Sequence, residues 1–546
     1  MAVMNFPLQF DHDKGNLRWQ QATKLPARKF RRNFYLKRER ECDFFARHAR
    51  STAFQTVDRV WKMSGYDEQQ DTRRAYQEQP RSGHLKSRLS DLVTQARRAY
   101  FSKNYLKAAQ IVVQAIDLCP EDADLWNTRG VFLRAGGRAA DAVLSFRQAL
   151  ARQPESAGTW SNLGNALVDL KQLETGIVCH RHAIGLEPQN AEFHRNLARA
   201  LIVASRHGDA VDCLNQALRI EPANMGARFD RSMAYLHLGE YAKAWPDYEA
   251  RLHNSLRNLP GRRWAGEQYP GKTLIVTSEQ GHGDAIWAAR YFRMAKDCGG
   301  TLIVECHPGL MPVFAAMPEV DQVVATDSPL PHADLHCPVC SLPGIFTSSI
   351  DAIPAAPYLS IPSDRNSKFE TAMSKAGPKL RVGIVWSGNL GFARNRDRAA
   401  PLTAFVQAFA HPDVQLYSLQ KGPLEQDLAT FAEGTSMIDL APLLNDFADT
   451  AAVISKLDLV IMTDSAIAHL CGALGRPVWV LLSYEAFWLW LLDQLDSPWY
   501  PSMRLFRQRA WGDWGGAFDA ASAALLQLVL ARKNGFDGGQ AAGLQN

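Results

Sequence analysis

The chain contains 546 residues, of which 46% are hydrophobic and 21% are charged, and its formal net charge is +5. This composition is typical of globular proteins and excludes a fibrous or wholly disordered chain, and the length predicts about three to four domains. The basic excess lies in the first 85 residues, which carry a net charge of +7 against −2 for the rest. The charge therefore excludes nucleic-acid binding as a role of the whole protein.

The N-terminal segment, residues 1–85, shows no repeat and no clear helix cap, and we predict a poorly ordered basic arm. Its run 28–38 mixes basic and aromatic residues, a composition that also suits nucleic acid or anionic lipid. No apolar run approaches about 18 residues and no apolar stretch opens the chain, so we expect neither a transmembrane helix nor a signal peptide. The nine cysteines, an odd number, favour reduced thiols and a cytoplasmic location.

A 34-residue period dominates residues 86–255. It is carried by a set of prolines and a set of alanines: Pro120, Pro154, Pro188 and Pro222, and Ala115, Ala149, Ala183 and Ala217. Small residues suit close helix crossings, and a proline just after a helix cannot continue it. The period resembles the tetratricopeptide repeat, and we predict a solenoid of about four to five helix pairs that binds a protein or peptide partner.

One register of the repeat faces the groove that the first helices of such a solenoid line. It holds Thr128, Asn162, Asn196 and Asp230. An amide offers both a donor and an acceptor, so Asn162 and Asn196 are candidates for a ladder that holds an extended peptide. The alternative is a pair of solvated surface residues.

From about Gly271 the pattern alternates apolar strands with helical stretches. We predict strands at 273–277, 301–306, 322–325, 334–336, 381–386, 414–419, 457–462 and 477–482. Such alternation is typical of parallel sheets with helices on both faces, so the fold class is α plus α/β. We expect two Rossmann-like halves, residues 265–365 and 378–532, with a ligand cleft at the carboxyl ends of their strands, and a flexible tail at 533–546.

The first candidate site follows strand 273–277, where Gln280, Gly281, His282, Gly283 and Asp284 stand in succession. Glycines let the backbone turn tightly and approach a ligand closely. Asp284, at the start of the next helix, is a candidate general base that removes a proton from an acceptor. The same position also suits an aspartate that only caps the helix.

The second candidate site follows strand 457–462 and contains Asp464, Ser465 and His469. A helix that begins here presents backbone amides suited to an anion, and His469 lies one turn in on the same face as Ser465. This arrangement suits the diphosphate of a nucleotide donor. The alternative is a capping aspartate and a packed histidine.

The third candidate site follows strand 381–386. A small-residue turn with Ser387 and Asn389 leads into a basic loop with Arg396 and Arg398, whose guanidinium groups can bind phosphate in a bidentate manner. Gln420 and Lys421, after the next strand, are further candidates for the donor side. The alternative is a solvated basic loop.

Residues 271–515 resemble the heptosyltransferase-like glycosyltransferases with the GT-B fold, and are most similar to the bacterial subgroup that carries tetratricopeptide repeats in front. The matching stretches are SEQGHGDAIWAARY at 278–291, DLHCPVCSLP at 334–343, VGIVWSGN at 382–389, SLQKG at 418–422, DFADTAAVISKLDLVIMTDSAIAHLCGALGRPVWVLL at 446–482 and DSPWYPSMRLFRQ at 496–508.

The resemblance implies an inverting, metal-independent glycosyltransferase that uses a nucleotide-sugar donor and no cofactor. It makes the 265–365 half the acceptor side and the 378–532 half the donor side, with Asp284 as the acceptor base. Asp464, Ser465 and His469 match the donor-phosphate motif of the family, and either Arg396 or Arg398 would supply the positive charge that stabilises the leaving nucleotide diphosphate. The repeats would recruit a protein or peptide acceptor, although a glycan acceptor is a further alternative.

This sequence departs from the subgroup at two positions, where Phe487 and Leu489 stand in place of expected polar residues. Both can pack as core. The departure favours an alternative in which the chain is a non-catalytic repeat adaptor with a vestigial sugar-nucleotide-binding domain. Cys337 and Cys340 form a single Cys-x-x-Cys pair, which is half of a structural zinc site, so we expect buried thiols and no metal.

Overall fold

The structure is a computed structural model that describes residues 82–534, apart from 256, 393 and 432–436. The predicted basic arm, residues 1–85, and the predicted tail, residues 533–546, lie almost wholly outside the described residues.

The N-terminal part of the described chain is a helical solenoid made of antiparallel helix pairs. Four side chains at the 34-residue step, Asp122, Ser156, Asn190 and Asn224, accept a backbone N–H at a helix start and so set where four first helices begin. The helices are α1 (Ser82–Phe101), α2 (Tyr105–Leu118), α3 (Ala123–Ala135), α4 (Ala139–Arg152), α5 (Ala157–Asp169), α6 (Leu173–Leu186), α7 (Ala191–Val203), α8 (His207–Ile220), α9 (Met225–His237) and α10 (Tyr241–Tyr248).

Close approach of the paired helices explains the periodic small residues. A Cβ atom on Gly130 would lie 2.5 Å from the ring of Phe146 on the next helix, and Ala142 is fully buried at the same crossing. The last pair is shortened, since α10 contains Pro246 and gives way to a 3₁₀ turn at Glu249–Leu252.

Two sheets follow the solenoid. The first has the strand order β1-β5-β2-β3-β4 and all of its pairings are parallel. Its strands are β1 (Arg262–Arg263), β2 (Thr273–Thr277), β3 (Thr301–Cys306), β4 (Gln322–Ala325) and β5 (Leu335–Pro338). The order reverses at β2, whose neighbours β3 and β5 lie on opposite sides of it.

The second sheet has the order β11-β12-β10-β9-β6-β7-β8, and its pairings are parallel except for that of β11 with β12. Its strands are β6 (Leu380–Val385), β7 (Val414–Ser418), β8 (Ile438–Asp439), β9 (Leu459–Thr463), β10 (Val478–Leu482), β11 (Asp496–Ser497) and β12 (Tyr500–Arg507). Without β11 this is the order found in doubly wound nucleotide-binding sheets, and it reverses between β6 and β9.

Helices cover these sheets. They are α11 (His282–Ala288), α12 (Phe292–Asp297), α13 (Met311–Ala315), α14 (Leu342–Phe346), α15 (Glu370–Ser374), α16 (Asn395–Arg398), α17 (Leu402–Phe409), α18 (Phe447–Lys456), α19 (Ala466–Ala473) and α20 (Trp514–Lys533). Of the described helices, α20 is the one long and apolar enough to cross a membrane. In this structure its Phe518 packs edge-on against Phe405 of α17, with ring centres 5.1 Å apart.

The end of the solenoid is continuous with the core of the sheet region. The indole N–H of Trp245, on α10, donates to the Thr347 carbonyl at 2.6 Å. Trp499 donates to the hydroxyl of Tyr241 at 3.1 Å, and Trp245 packs edge-on against Trp488 with ring centres 6.0 Å apart. The last helix pair therefore buries its aromatic face against the sheets rather than facing water.

A second contact joins an inter-helix turn of the solenoid to the second sheet. Lys171, between α5 and α6, places its ammonium 3.5 Å from the centre of the Trp511 ring and 3.9 Å from the carboxylate of Asp397. The basic loop after β6 is thus held from the solenoid side.

Candidate functional site

Two of the predicted loops come together through the helices that follow them. The loop after β2 leads into α11, the loop after β9 leads into α19, and these two helices pack together. Gly283 makes the approach possible, because a Cβ atom there would lie 2.9 Å from Cδ2 of His469. Both loops follow strands at which the order of their sheet reverses, the usual ligand position in open parallel sheets.

Asp284 lies in the first turn of α11 and is half-buried. Its Oδ2 atom accepts the backbone N–H of Gly281 at 3.0 Å. Desolvation raises its pKa to about 6, against an opposing effect of the backbone hydrogen bonds and with further raising by the negative charges of Glu279 and Asp464. A carboxyl group with this pKa is ionised at neutral pH and close to the value that suits a general base. It also caps the helix, so both interpretations of this residue describe the same geometry.

The solenoid holds the loop that carries Asp284. Arg251, in the turn that ends the last repeat, forms a two-point ion pair with Glu279 through Nη2 at 2.6 Å and Nε at 3.1 Å. Gln280, whose φ is +60°, donates its side-chain amide to the hydroxyl of Tyr248 at 3.1 Å. Sequence reasoning missed Arg251 and Tyr248, because no period or motif links the end of the repeats to this loop.

On the facing side, Asp464 is buried and is 3.3 Å from a terminal nitrogen of Arg398. Three polar atoms lie buried here without a hydrogen-bond partner among the described residues, namely Oγ1 of Thr463, Oγ of Ser465 and Nε of Arg398. Polar atoms without a partner are costly to bury, and a bound ligand that forms hydrogen bonds with them would explain their presence. Arg398 also lies over the ring of Phe392, at 4.5 Å from its centre.

His469 is buried between aromatic neighbours. Its Nδ1 atom is 3.1 Å from the hydroxyl of Tyr500, and its ring stacks on Trp490 with centres 5.2 Å apart. Burial lowers its pKa to about 4, although the nearby charge of Asp464 acts in the opposite direction. His469 is therefore neutral at physiological pH.

The loop after β6 is fixed by two buried amides. Gln420 accepts the backbone N–H of Trp386 and of Ser387 at 3.1 and 3.0 Å, and it donates to the Ser387 carbonyl at 3.1 Å. Asn395 accepts the backbone N–H of Gly388 at 3.0 Å and donates to the Ser387 hydroxyl at 2.9 Å. Ser387 and Gln420 were both predicted to bind the nucleotide-sugar donor, and in this structure they are hydrogen-bonded to each other.

Three further residues were predicted to bind the nucleotide-sugar donor. Asn389 is exposed and accepts the backbone N–H of Gly391 at 2.8 Å, and Arg396 is exposed. Lys421 donates to the Ala441 carbonyl at 2.9 Å. Of the two arginines that sequence reasoning could not separate, the structure brings Arg398 and not Arg396 to Asp464.

Asn162 and Asn196 do not bond to each other but to residues of the preceding repeat. Asn162 donates to Asn127 at 3.0 Å, and the buried Asn196 donates to Ser161 at 3.2 Å. Each bond spans 35 residues rather than 34, as does the ion pair of Arg195 with Asp230. The amide donors of the predicted ladder therefore join adjacent repeats.

The departures noted in the sequence lie in the interior. Leu489 is fully buried and Phe487 is half-buried, so the packing explanation describes both positions. Cys337 and Cys340 are buried unpaired thiols, and burial raises the pKa of Cys337 to about 12. Within the part of the chain that the structure describes, no group of three or more metal-binding side chains occurs.

Comparison with known proteins confirms the tetratricopeptide repeats. The family model of the tetratricopeptide repeat matches residues 93–157, 133–177 and 195–255. A curated relative, "Protein FlbA" of Caulobacter vibrioides, is 26% identical over 332 residues, which cover 56% of this chain and 55% of that protein. The chain thus spans about half the length of the curated relative that it matches.

Solved structures overlap with about a third of the chain. MamA is 17% identical with a TM-score of 0.28, and the match covers 32% of this chain and 100% of MamA. The pilF protein of Pseudomonas aeruginosa is 18% identical with a TM-score of 0.29, and the match covers 32% of this chain and 80% of that protein. A tetratricopeptide-repeat protein of Thermus thermophilus is 19% identical with a TM-score of 0.29 and covers 31% of this chain and 93% of its own.

Proposed function

We propose that this chain is an inverting glycosyltransferase of the GT-B type that moves a sugar from a nucleotide-sugar donor to a hydroxyl group of a protein or peptide. The observation that carries the proposal is the junction of α11 and α19. There a carboxyl group with a pKa of about 6 lies near a helix start whose serine, and whose neighbouring arginine, have buried unpaired polar atoms. A base and an anion site at one junction are what glycosyl transfer requires.

In the proposed reaction, the carboxylate of Asp284 takes the proton of the acceptor hydroxyl. The oxygen attacks the anomeric carbon from the side opposite the phosphate and forms the new glycosidic bond, while the bond from that carbon to the phosphate oxygen breaks. The nucleotide diphosphate leaves with the electron pair. Arg398 and the backbone amides at the start of α19 offset its charge, and we expect turnover to persist in EDTA.

The repeats supply the second half of the proposal. Tetratricopeptide repeats indicate a role in binding a peptide or protein. The last repeat holds the loop of Asp284 through Arg251, so a polypeptide bound by the solenoid would be close to the proposed base. A protein acceptor therefore fits the architecture better than a free glycan.

The two arginines of the basic loop provide a matched test of the donor site. We expect Arg398→Ala to weaken the binding of nucleoside diphosphates by about tenfold or more, since a charged hydrogen bond contributes about 1.5–3 kcal/mol. Arg396→Ala removes the same charge two residues away and is expected to leave affinity within about twofold. Calorimetric titration of the full chain with ADP, GDP and UDP measures both, and equal effects of the two variants would contradict this donor site.

Transfer itself is tested by the intact masses of proteins in an extract of cells that lack this chain. Purified chain and a panel of nucleotide sugars should add one sugar mass to a specific protein. The variant Asp284→Asn should reduce this transfer by several orders of magnitude, and undiminished transfer would remove Asp284 from the role of base.

A non-catalytic adaptor is the second candidate, favoured by the apolar residues Phe487 and Leu489 and by the matched repeats. It predicts a bound polypeptide partner without any sugar transfer. Binding of a nucleotide sugar with neither transfer nor hydrolysis, in the presence of that partner, would support the adaptor over the enzyme.

A further inference from the structure

A chain of polar groups leads from the boundary of the two sheets to His469. Arg290, two residues beyond the end of α11 in the next helical turn, is a buried cation whose guanidinium donates to the Trp499 carbonyl at 3.2 Å. It also donates to the hydroxyl of Tyr358 at 3.5 Å. The Tyr358 hydroxyl is 3.4 Å from that of Tyr500, which in turn is 3.1 Å from Nδ1 of His469.

The distances decide where the hydroxyl hydrogens point. Tyr358 has its best acceptor in the Ile286 carbonyl, at 3.0 Å. Tyr500 has one hydrogen and two possible acceptors, the Tyr358 oxygen at 3.4 Å and Nδ1 of His469 at 3.1 Å. If Nδ1 of His469 instead donated to Tyr500, the hydrogen of Tyr500 would have only the Tyr358 oxygen at 3.4 Å, which is long for an O–H···O bond. The distances therefore favour the arrangement in which Tyr500 donates to Nδ1 of His469.

A neutral imidazole that accepts at Nδ1 carries its own hydrogen on Nε2. The Cδ2–Nε2 edge of His469 faces Gly283, where a Cβ atom would lie 2.9 Å from Cδ2 and 3.4 Å from Nε2. Nε2 has no hydrogen-bond partner among the residues that the structure describes. Trp490, stacked on the ring, holds its plane.

We infer that Tyr500 fixes His469 as a neutral donor whose Nε2–H points into the junction of α11 and α19. In this role His469 recognises an oxygen of its ligand by a directed hydrogen bond and not by positive charge. The identity of the ligand, a phosphate oxygen of a nucleoside diphosphate, rests on the proposed function. Tyr500 is then a positioning residue, because it acts through His469 without contacting the ligand.

The test separates the tautomer from the ligand. Long-range ¹H–¹⁵N NMR of the full chain labelled at histidine, with the His469 signal assigned by its loss in His469→Gln, should show the Nε2–H pattern at pH 7. Tyr500→Phe removes only the hydroxyl and should convert that pattern into a mixture of tautomers. Tyr417→Phe, a change to another fully buried tyrosine, should leave it unaltered.

The same variants report on the ligand. Tyr500→Phe should weaken nucleoside diphosphate binding by about three- to tenfold, and Tyr417→Phe should not. A wild-type His469 that is protonated on Nδ1, or on both nitrogens, at pH 7 would overturn the inference. The expected tautomer in a protein that binds no nucleotide would support the role of Tyr500 and contradict the proposed function instead.

Discussion

The raised pKa of Asp284 leads to a prediction about protein stability that does not depend on any activity. Its pKa is about 6 in the folded chain against an ordinary value of 3.8. A group whose pKa is raised by folding contributes stability that is complete below the unfolded pKa and is lost as the pH rises through the folded pKa. Asp284 therefore destabilises the folded protein at neutral and basic pH, because its ionised carboxylate is poorly solvated there.

The magnitude follows from the two pKa values. Relative to a neutral side chain, the ionisation of Asp284 costs about 3 kcal/mol at pH 8, about 1–2 kcal/mol at pH 5 and less than about 1 kcal/mol at pH 3.8. Asp284→Asn removes the charge, and its amide oxygen can still accept the N–H of Gly281. The variant should therefore be more stable than the wild type by up to about 3 kcal/mol at pH 8, with most of the difference gone near pH 4.

Urea unfolding of both proteins between pH 4 and pH 8 measures this difference directly. The exposed Asp519, on α20, provides the control, since Asp519→Asn removes one carboxylate from a solvated helix surface. Its effect should stay within about 0.5 kcal/mol at every pH. A stability gain of Asp284→Asn that does not change between pH 4 and pH 8, or a loss at pH 8, would refute the assignment of a raised pKa.

Two further predictions concern packing around the junction. A Cβ atom at Gly472 would overlap the Tyr500 ring, so Gly472→Ala should lower the free energy of unfolding in urea by about 1–3 kcal/mol. A Cβ atom at Gly185 has no neighbour within 4 Å, so the control Gly185→Ala should leave that free energy unchanged or raise it. Arg251→Ala leaves Glu279 without its ion-pair partner and should lower the free energy of unfolding by about 3–5 kcal/mol. In a double-mutant cycle, the further change Glu279→Ala should recover part of that loss. Additive losses of the two single variants would show that the pair is not coupled.

The fold was accessible from the sequence where periodicity is strong. The strands at 273–277, 301–306 and 322–325 have the predicted bounds, because each is a short apolar run closed by polar residues. Later strands differ by one or two residues at their ends. Strand β12 was missed, since Pro501 and Arg504 interrupt its apolar pattern and its place in the sheet depends on a partner strand distant in sequence.

The candidate site was accessible in part. The turn residues around Asp284 and Ser465 are local signals, and strand ends in a parallel sheet converge by geometry. The asparagine ladder stays a prediction. The bonds that Asn162 and Asn196 make to the preceding repeat join positions 35 residues apart, an offset that a 34-residue period does not show. Tyr500 and Arg251 act through contacts 31 and 28 residues distant in the chain, which carry no spacing signal.

The aromatic contact between the last repeat and the sheets has a consequence for how such chains can be recombined. An array of repeats usually ends in a capping unit with a polar outer surface. Here Tyr241 and Trp245 occupy that outer surface and are almost wholly buried, so the sheet region itself serves as the cap. The natural boundary for exchanging one recognition array for another is therefore upstream of α9, between earlier repeats. The final pair belongs, structurally, to the domain that it supports.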